Sequence, residues 1–231
     1  LEENLEALKR IRLRSRVISG TAQPKLETTV LGQRIDFPVM IAPTGGLIWQ
    51  VCHEECEPGA ARAAGRMGTI MLLPTTSNYS IEEVAAAATG PLWFQLYVFR
   101  DRELNKVLIE RAERAGYKAL VITVDNVTGS RGRSKQAGRE LAAAIVDRVD
   151  PNRLLKNMAD IDLPNLPTIA DFTEEFEHAL TWNDIEQVRK MTSLPIVIKG
   201  IQSAEDARLC VEQGLDGLVV SNHGGLFLDC S

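Results

Sequence analysis

The chain has 231 residues, 45% of them hydrophobic and 25% charged, with a formal net charge of −5. That is the composition of a soluble globular protein long enough for one large domain, and its mild acidity with no basic stripe argues against nucleic acid as a main partner. No run approaches the ~20 apolar residues of a membrane span. The N-terminus has no basic region before an apolar core, so it does not read as a signal peptide. Cys52, Cys56, Cys210 and Cys230 follow no disulfide framework. That points to a reducing compartment, the cytoplasm first, with a peroxisome or a membrane periphery left open.

In chain order, residues 38–43 form the first clear strand pattern, ended by Pro43, Thr44 and Gly45. Cys52, His53 and Cys56 are metal-ligand types, but no second ligand cluster lies within reach in sequence, so no metal is expected. An alanine-rich helix is predicted over 59–67, then a strand over 69–73. Ser80 and Glu83 have the spacing of a capping box at the start of a helix over 81–88. A strand over 92–98 is followed by a helix over 102–115, where Leu104, Val107, Leu108 and Ala112 recur at helical spacing. The next strand, 119–125, ends on Thr123 and Asp125.

The rhythm then breaks. Residues 126–180 are polar and Pro-containing, and a connection of that length is expected to be a lid or insertion after the fourth strand. Regularity returns with a helix over 182–191, a strand over 194–199 ending on Lys199, and a Ser-capped helix over 203–213. The last strand is the β-branched run at 217–220, followed by Ser221, Asn222, His223 and two glycines. Neither glycine has a Cβ, so backbone there can come close to a ligand.

Apolar strands joined by helices predict a parallel sheet with right-handed crossovers. About six βα units, with no phosphate-binding GxGxxG after the first strand, favour a (β/α) barrel over a doubly wound sheet. One domain spanning 1–231 is expected. A barrel carries its site at the C-terminal ends of its strands, and those ends here are polar: Thr44, Gln95 and Tyr97, Thr123 and Asp125, Lys199, Ser221 and His223. Histidine exchanges protons near neutral pH and a carboxylate orients it, so this set can support proton abstraction.

Six segments then carry a resemblance: Ile-Ala-Pro-Thr at 41–44, Trp-Phe-Gln-Leu-Tyr at 93–97, Thr-Val-Asp at 123–125, Val-Ile-Lys-Gly at 197–200, Ser-Ala-Glu-Asp-Ala-Arg at 203–208 and Val-Ser-Asn-His-Gly-Gly at 220–225. In this order they resemble the FMN-dependent α-hydroxy-acid dehydrogenases and oxidases, which include glycolate oxidase, lactate oxidase and mandelate dehydrogenase. Ser77, Asn78, Tyr79 and Ser80 are more faintly similar to the mandelate dehydrogenase branch. The resemblance implies a TIM (β/α)8-type barrel, present here as an incomplete one. It implies FMN as cofactor, a 2-hydroxy acid as substrate, and oxygen, a quinone or a carrier as electron acceptor. A homo-oligomer, a tetramer, is implied for the intact enzyme.

The same resemblance implies His223 as the base and Asp125 as the residue orienting it. Lys199, Gln95, Thr123, Ser221 and the backbone of Pro43, Thr44 and Gly45 would surround the flavin. Tyr97, with Arg131 or Arg133, would hold the substrate. Three departures are visible. Leu226 and Phe227 stand where the family has Arg-Gln, Pro74 stands where it has a serine near the flavin, and the family's outer segments, including its phosphate-binding strands, are missing. Without those strands the expectation is a chain that alone is poorly soluble and binds FMN weakly. Two alternatives stay open: a catalytically impaired remnant of the family, and another phosphate-binding barrel in which Lys199 forms a Schiff base.

Overall fold

The computed structural model describes residues 2–126 apart from 16, 19 and 21, and residues 149–225 apart from 151, 152, 154, 165 and 167–174. The described elements are α1 (Glu2–Arg10), β1 (Thr28–Val30), β2 (Gln33–Ile35), α2 (Gly46–Cys52), α3 (Cys56–Arg66), β3 (Met71–Leu73), α4 (Ile81–Ala87), β4 (Leu92–Leu96), α5 (Arg102–Arg114), β5 (Leu120–Thr123), α6 (Trp182–Arg189), β6 (Ile196–Ile201), α7 (Ala204–Glu212) and β7 (Gly217–Val220). Strands β3 to β7 pair in chain order, all parallel, as one five-stranded sheet. Strand order following chain order, with a helix on each crossover, is the topology of a (β/α) barrel, here part of one.

The predicted strand at 38–43 is reduced to one parallel bridge between Ile41 and Met71. Ile41 N donates to Ile70 O at 3.0 Å and Leu72 N to Ile41 O at 3.0 Å, so this stretch occupies the sixth strand position with a single turn of ladder. Pro38 and Pro43 flank it and lack the N–H that a longer ladder needs. The other predicted strands and helices are present, the last strand with the predicted bounds and the rest with an end shifted by a residue or more.

Side chains alternate between two apolar layers, as the two-residue period of a strand requires. Met71, Leu73, Leu92, Phe94, Leu96, Leu120, Ile122, Ile196 and Ile198 face the helices and pack with Ile81, Val84, Leu104, Leu108, Ala112, Ile185 and Val188. Ile70, Leu72, Trp93, Val121 and Val197 face the barrel interior and meet Ile35 from the β1–β2 hairpin. Trp93 Nε1 donates to Gln33 Oε1 at 3.1 Å, so the hairpin closes the end of the barrel where the strands begin. By the same alternation Gln95, Tyr97, Thr123, Asp125 and Lys199 belong to the interior face, at the opposite end.

Hydrogen bonds at the helix starts fix the crossovers. Ser80 and Glu83 form the predicted capping box on α4, and Thr181 and Asp184 form a second one on α6. Asp101 caps α5 through Glu103 N and Leu104 N. Each such cap contributes about 1 kcal/mol. Arg102 reaches Asp184 at 2.5 Å and so ties the start of α5 to α6.

Candidate active site

The interior side chains converge at the strand ends. His223 Nδ1 lies 2.8 Å from Asp125 Oδ1, and Tyr97 Oη lies 3.4 Å from His223 Nε2. Asp125 is 8% exposed and its Oδ2 has no hydrogen-bond partner among the described residues. Lys199, 9% exposed, faces it across the β5–β6 ladder, where Thr123 pairs with Lys199 and Val124 N donates to Lys199 O at 2.9 Å. Burial pulls the Lys199 pKa down, and the Asp125 charge partly restores it. Burial first, and the Asp125 charge second, push the Tyr97 phenol well above its ordinary range, so Tyr97 keeps its proton.

Two backbone features make this convergence possible. Gly200 sits at φ +116, within a register shift between Lys199 and Ile201, and a Cβ there would lie 2.7 Å from Asp125 Cβ and Cγ. Only glycine leaves room for the carboxylate at that point. His223 itself lies at φ 56 in a short 3₁₀ turn, His223–Gly225, left-handed backbone that a side-chain-bearing residue adopts at a cost of about 1–2 kcal/mol. Ser221 Oγ accepts from His223 N at 3.0 Å, and Asn222 Oδ1 accepts from Gly225 N at 3.2 Å, holding the turn closed.

Gln95 is linked to the loop after β3. Thr75 N donates to Gln95 Oε1 at 3.3 Å, Thr75 Oγ1 donates to Gln95 O at 2.7 Å, and Tyr97 N donates to Thr75 Oγ1 at 2.9 Å. The Gln95 amide nitrogen is buried and has no partner among the described residues. Gly45 and Gly46 lie against the same loop, where Gly46 N donates to Thr76 O at 2.8 Å and a Cβ on Gly45 would meet Thr76 Oγ1 at 3.5 Å, while Thr44 Oγ1 donates back to Ala42 O at 3.3 Å. The structure therefore brings Gln95, Tyr97, Asp125, Lys199, Ser221 and His223 into one connected rim, with Thr123 beside Lys199 in the ladder. Arg131, Arg133 and Leu226 lie outside the described residues.

Several contributors were not anticipated from sequence. Glu57, fully buried on α3, accepts from Asn78 N and Nδ2, both at 3.0 Å, and so anchors the loop after β3. Burial raises the Glu57 pKa despite these donors. Pro74, already noted as standing where the family has a serine, is buried, and its carbonyl accepts from Asn157 Nδ2 at 3.2 Å. Within the long segment, Glu177 N donates to Val98 O at 2.7 Å and Arg100 N to Glu175 O at 3.0 Å, adding a short antiparallel ribbon just beyond Tyr97. This seats Phe176 against the Tyr97 ring, centroids 4.7 Å apart, while His178 Nδ1 lies 3.1 Å from Asn126 O. Cys52 is exposed, Cys56 is buried against the carbonyls of His53 and Glu54, and among the described residues no cluster of three His, Cys, Asp or Glu is placed to hold a metal. No described helix is long and apolar enough to cross a membrane.

Comparison with known proteins adds independent findings. The family model described as FMN-dependent dehydrogenase matches residues 1–231. Glycolate oxidase 3 of Oryza sativa subsp. indica is 40% identical over 235 residues, which cover 99% of this chain and 62% of that protein. The chain thus spans under two thirds of the relative's length. Among solved structures, a mandelate oxidase with (S)-4-hydroxymandelic acid superposes with a TM-score of 0.81 at 34% identity, covering 100% of this chain and 63% of the other. A glycine-to-alanine mutant of the active chimera of (S)-mandelate dehydrogenase gives 0.83 at 31% identity, covering 99% and 64%. The match of sequence pattern, strand order and whole-length family model leads to one conclusion: the chain belongs to the FMN-dependent dehydrogenase family.

Proposed function

We propose that the protein carrying this chain oxidises a 2-hydroxy acid to the 2-oxo acid, with His223 as the base. The observation that supports this most is the buried Asp125 held 2.8 Å from His223 Nδ1, which leaves Nε2 turned toward the Tyr97 hydroxyl and the mouth of the barrel. With its Nδ1 proton directed at Asp125, the neutral imidazole carries its acceptor lone pair at Nε2 and can take one proton there. Asp125 orients the ring and stabilises the imidazolium that forms. Tyr97, kept protonated, donates a hydrogen bond to the substrate.

The residues at this rim fit a flavin. Gln95 offers a buried amide N–H₂ that meets no acceptor among the described residues, which is a donor in want of a ring-edge oxygen or nitrogen. Gln95, Thr123, Lys199 and Ser221, with the backbone of Pro43, Thr44 and Gly45, would hold the cofactor. The chemistry FMN supplies when bound is the acceptance of two electrons from the hydroxy acid. Lys199, a buried cation, stabilises negative charge that develops beside it. Arg131 or Arg133 would clamp the substrate carboxylate, a role that needs the guanidinium fork.

An aromatic hydroxy acid is the first substrate to test, because the solved relatives include enzymes of mandelate and because Tyr97 and Phe176 present an aromatic wall beside the base. The test uses the full-length flavoprotein under anaerobic conditions, mixed with mandelate, lactate and glycolate in turn. Bleaching of the flavin absorbance by at least one acid is expected, together with a His223→Gln variant that retains flavin but bleaches at least ~100-fold more slowly. A wild-type protein that no 2-hydroxy acid reduces would end the proposal. His223→Gln at the wild-type rate would remove the base from it.

A further inference from the structure

The turn that carries His223 is tied to the first helix of the chain. Asn222 Nδ2 donates to Asn4 Oδ1 at 2.7 Å, and Asn4 Nδ2 donates to Asn222 Oδ1 at 3.1 Å, a reciprocal amide pair between residues 218 apart in sequence. The same Asn222 Oδ1 accepts from Gly225 N, and Asn222 O accepts from Gly225 N at 2.9 Å, so the Asn222 side chain is also an internal brace of the turn. Helix α1 buries none of its residues, and Leu5 and Leu8 on it are 54% and 66% exposed. Apolar packing therefore does not explain why α1 rests on this turn among the described residues, and the paired amides do.

We propose that Asn4 is a positioning residue for the base. Through Asn222 it holds the His223 backbone in its left-handed conformation, and so holds Nε2 at its place above Asp125. This rests on the reading of His223 as the base. The physical reason is the strain at His223: a residue at φ 56 relaxes to ordinary backbone unless its neighbours are fixed. Fixing comes from Ser221 Oγ on one side and from the Asn222 side chain on the other, and Asn4 immobilises that side chain with two hydrogen bonds. Asn4 does not touch the substrate and takes no proton.

The experiment uses the full-length flavoprotein and reads three quantities: bound FMN per chain, the dissociation constant for the hydroxy acid, and the anaerobic rate of flavin reduction as a function of pH. Loss of two net hydrogen bonds corresponds to about a ten-fold fall in the reduction rate of Asn4→Ala, with FMN content and substrate affinity within about two-fold of wild type. Asn4→Asp keeps the acceptor for Asn222 Nδ2 and loses the donor, so its rate falls between the two. Asn222→Ala lowers the rate at least as far, and adding Asn4→Ala to it changes nothing more, because the pair is already broken. Leu8→Ala, on the same helix at a side chain 66% exposed, leaves the rate unchanged.

The inference is overturned if Asn4→Ala reduces flavin at the wild-type rate, if its defect is loss of FMN, if the two alanine variants are additive, or if Leu8→Ala is equally slow. Failure of the base reading shows separately: His223→Gln would then match wild type, whatever Asn4→Ala does.

Discussion

Gly200→Ala isolates the link between backbone and chemistry. A methyl group at this position would stand 2.7 Å from Asp125 Cβ and Cγ and 2.9 Å from Asp125 N, all well inside van der Waals contact. The backbone is at φ +116, where an L side chain is strained even in open space. Strain of that kind costs about 1–3 kcal/mol, and an overpacked methyl adds about 1–3 kcal/mol. The sum, roughly 2–6 kcal/mol, is comparable to the whole stability of a marginal domain. The chain can escape part of it only by moving Asp125 away, by on the order of 1 Å to restore ordinary contact. A shift of that size breaks the 2.8 Å bond to His223 Nδ1. A misplacement of about 1 Å in a catalytic group costs on the order of 100-fold in rate. The assay is a thermal melt of the FMN-loaded full-length enzyme beside its anaerobic reduction rate. Either the melting temperature falls by several degrees or the rate falls about 100-fold, and a mixture of both is expected. A Gly200→Ala enzyme with the melting temperature, rate and pH profile of wild type would refute the reasoning, because no room would then have been needed.

Three further outcomes are expected. Asp125→Asn keeps the shape of the site but removes the charge that stabilises the imidazolium, so the reduction rate falls by about 10²–10⁴-fold while bound FMN is retained, as measured by stopped-flow reduction and flavin content. Leu108→Ala empties part of the layer between α5 and the sheet, where Leu108 is fully buried, and costs about 2–5 kcal/mol in a denaturant melt with the same flavin spectrum. Burial raises the folded-state pKa of Glu57 above its unfolded value, so the native chain binds the extra proton and wild-type stability declines as pH rises through that window. Glu57→Gln has no such slope, so its melting temperature gains on wild type with rising pH across the range just above ordinary carboxylate values, and a constant difference would refute the assignment.

The site was legible where chemistry coincides with local pattern. Gln95, Tyr97, Thr123, Asp125, Lys199 and His223 each follow an apolar run at the end of a strand, and barrel topology alone brings such ends together. Helices α3 to α7 could be read from alanine content, apolar spacing and capping residues such as Ser80 and Ser203. What escaped was of two kinds. Strands β1 and β2 have three residues each, α2 starts with no side-chain cap, and α1, though it has acidic residues in its first turn and basic ones in its last, buries none of its residues. The reduced pairing at Ile41 was hidden because a strand's length depends on its neighbours, while its sequence looks the same either way. The other kind is long-range: Glu57 with Asn78, Phe176 with Tyr97, and Asn4 with Asn222 are ordinary residues until the fold sets them side by side. Gly200 belongs here too, since the reason for its missing side chain is a carboxylate on the neighbouring strand.

The alternation along β4 has a consequence for how this sequence tolerates change. Trp93 and Gln95 share one parity with the barrel lining, Leu92, Phe94 and Leu96 share the other with the helices, and Tyr97, just past the strand, keeps the parity of Gln95 while its ring also packs on Phe176. Deleting a single residue from this strand would send the amide and the phenol outward among leucines and turn phenylalanine toward the reaction centre. Folding and chemistry are thus written in the same odd-and-even count, so selection for either one proofreads the other.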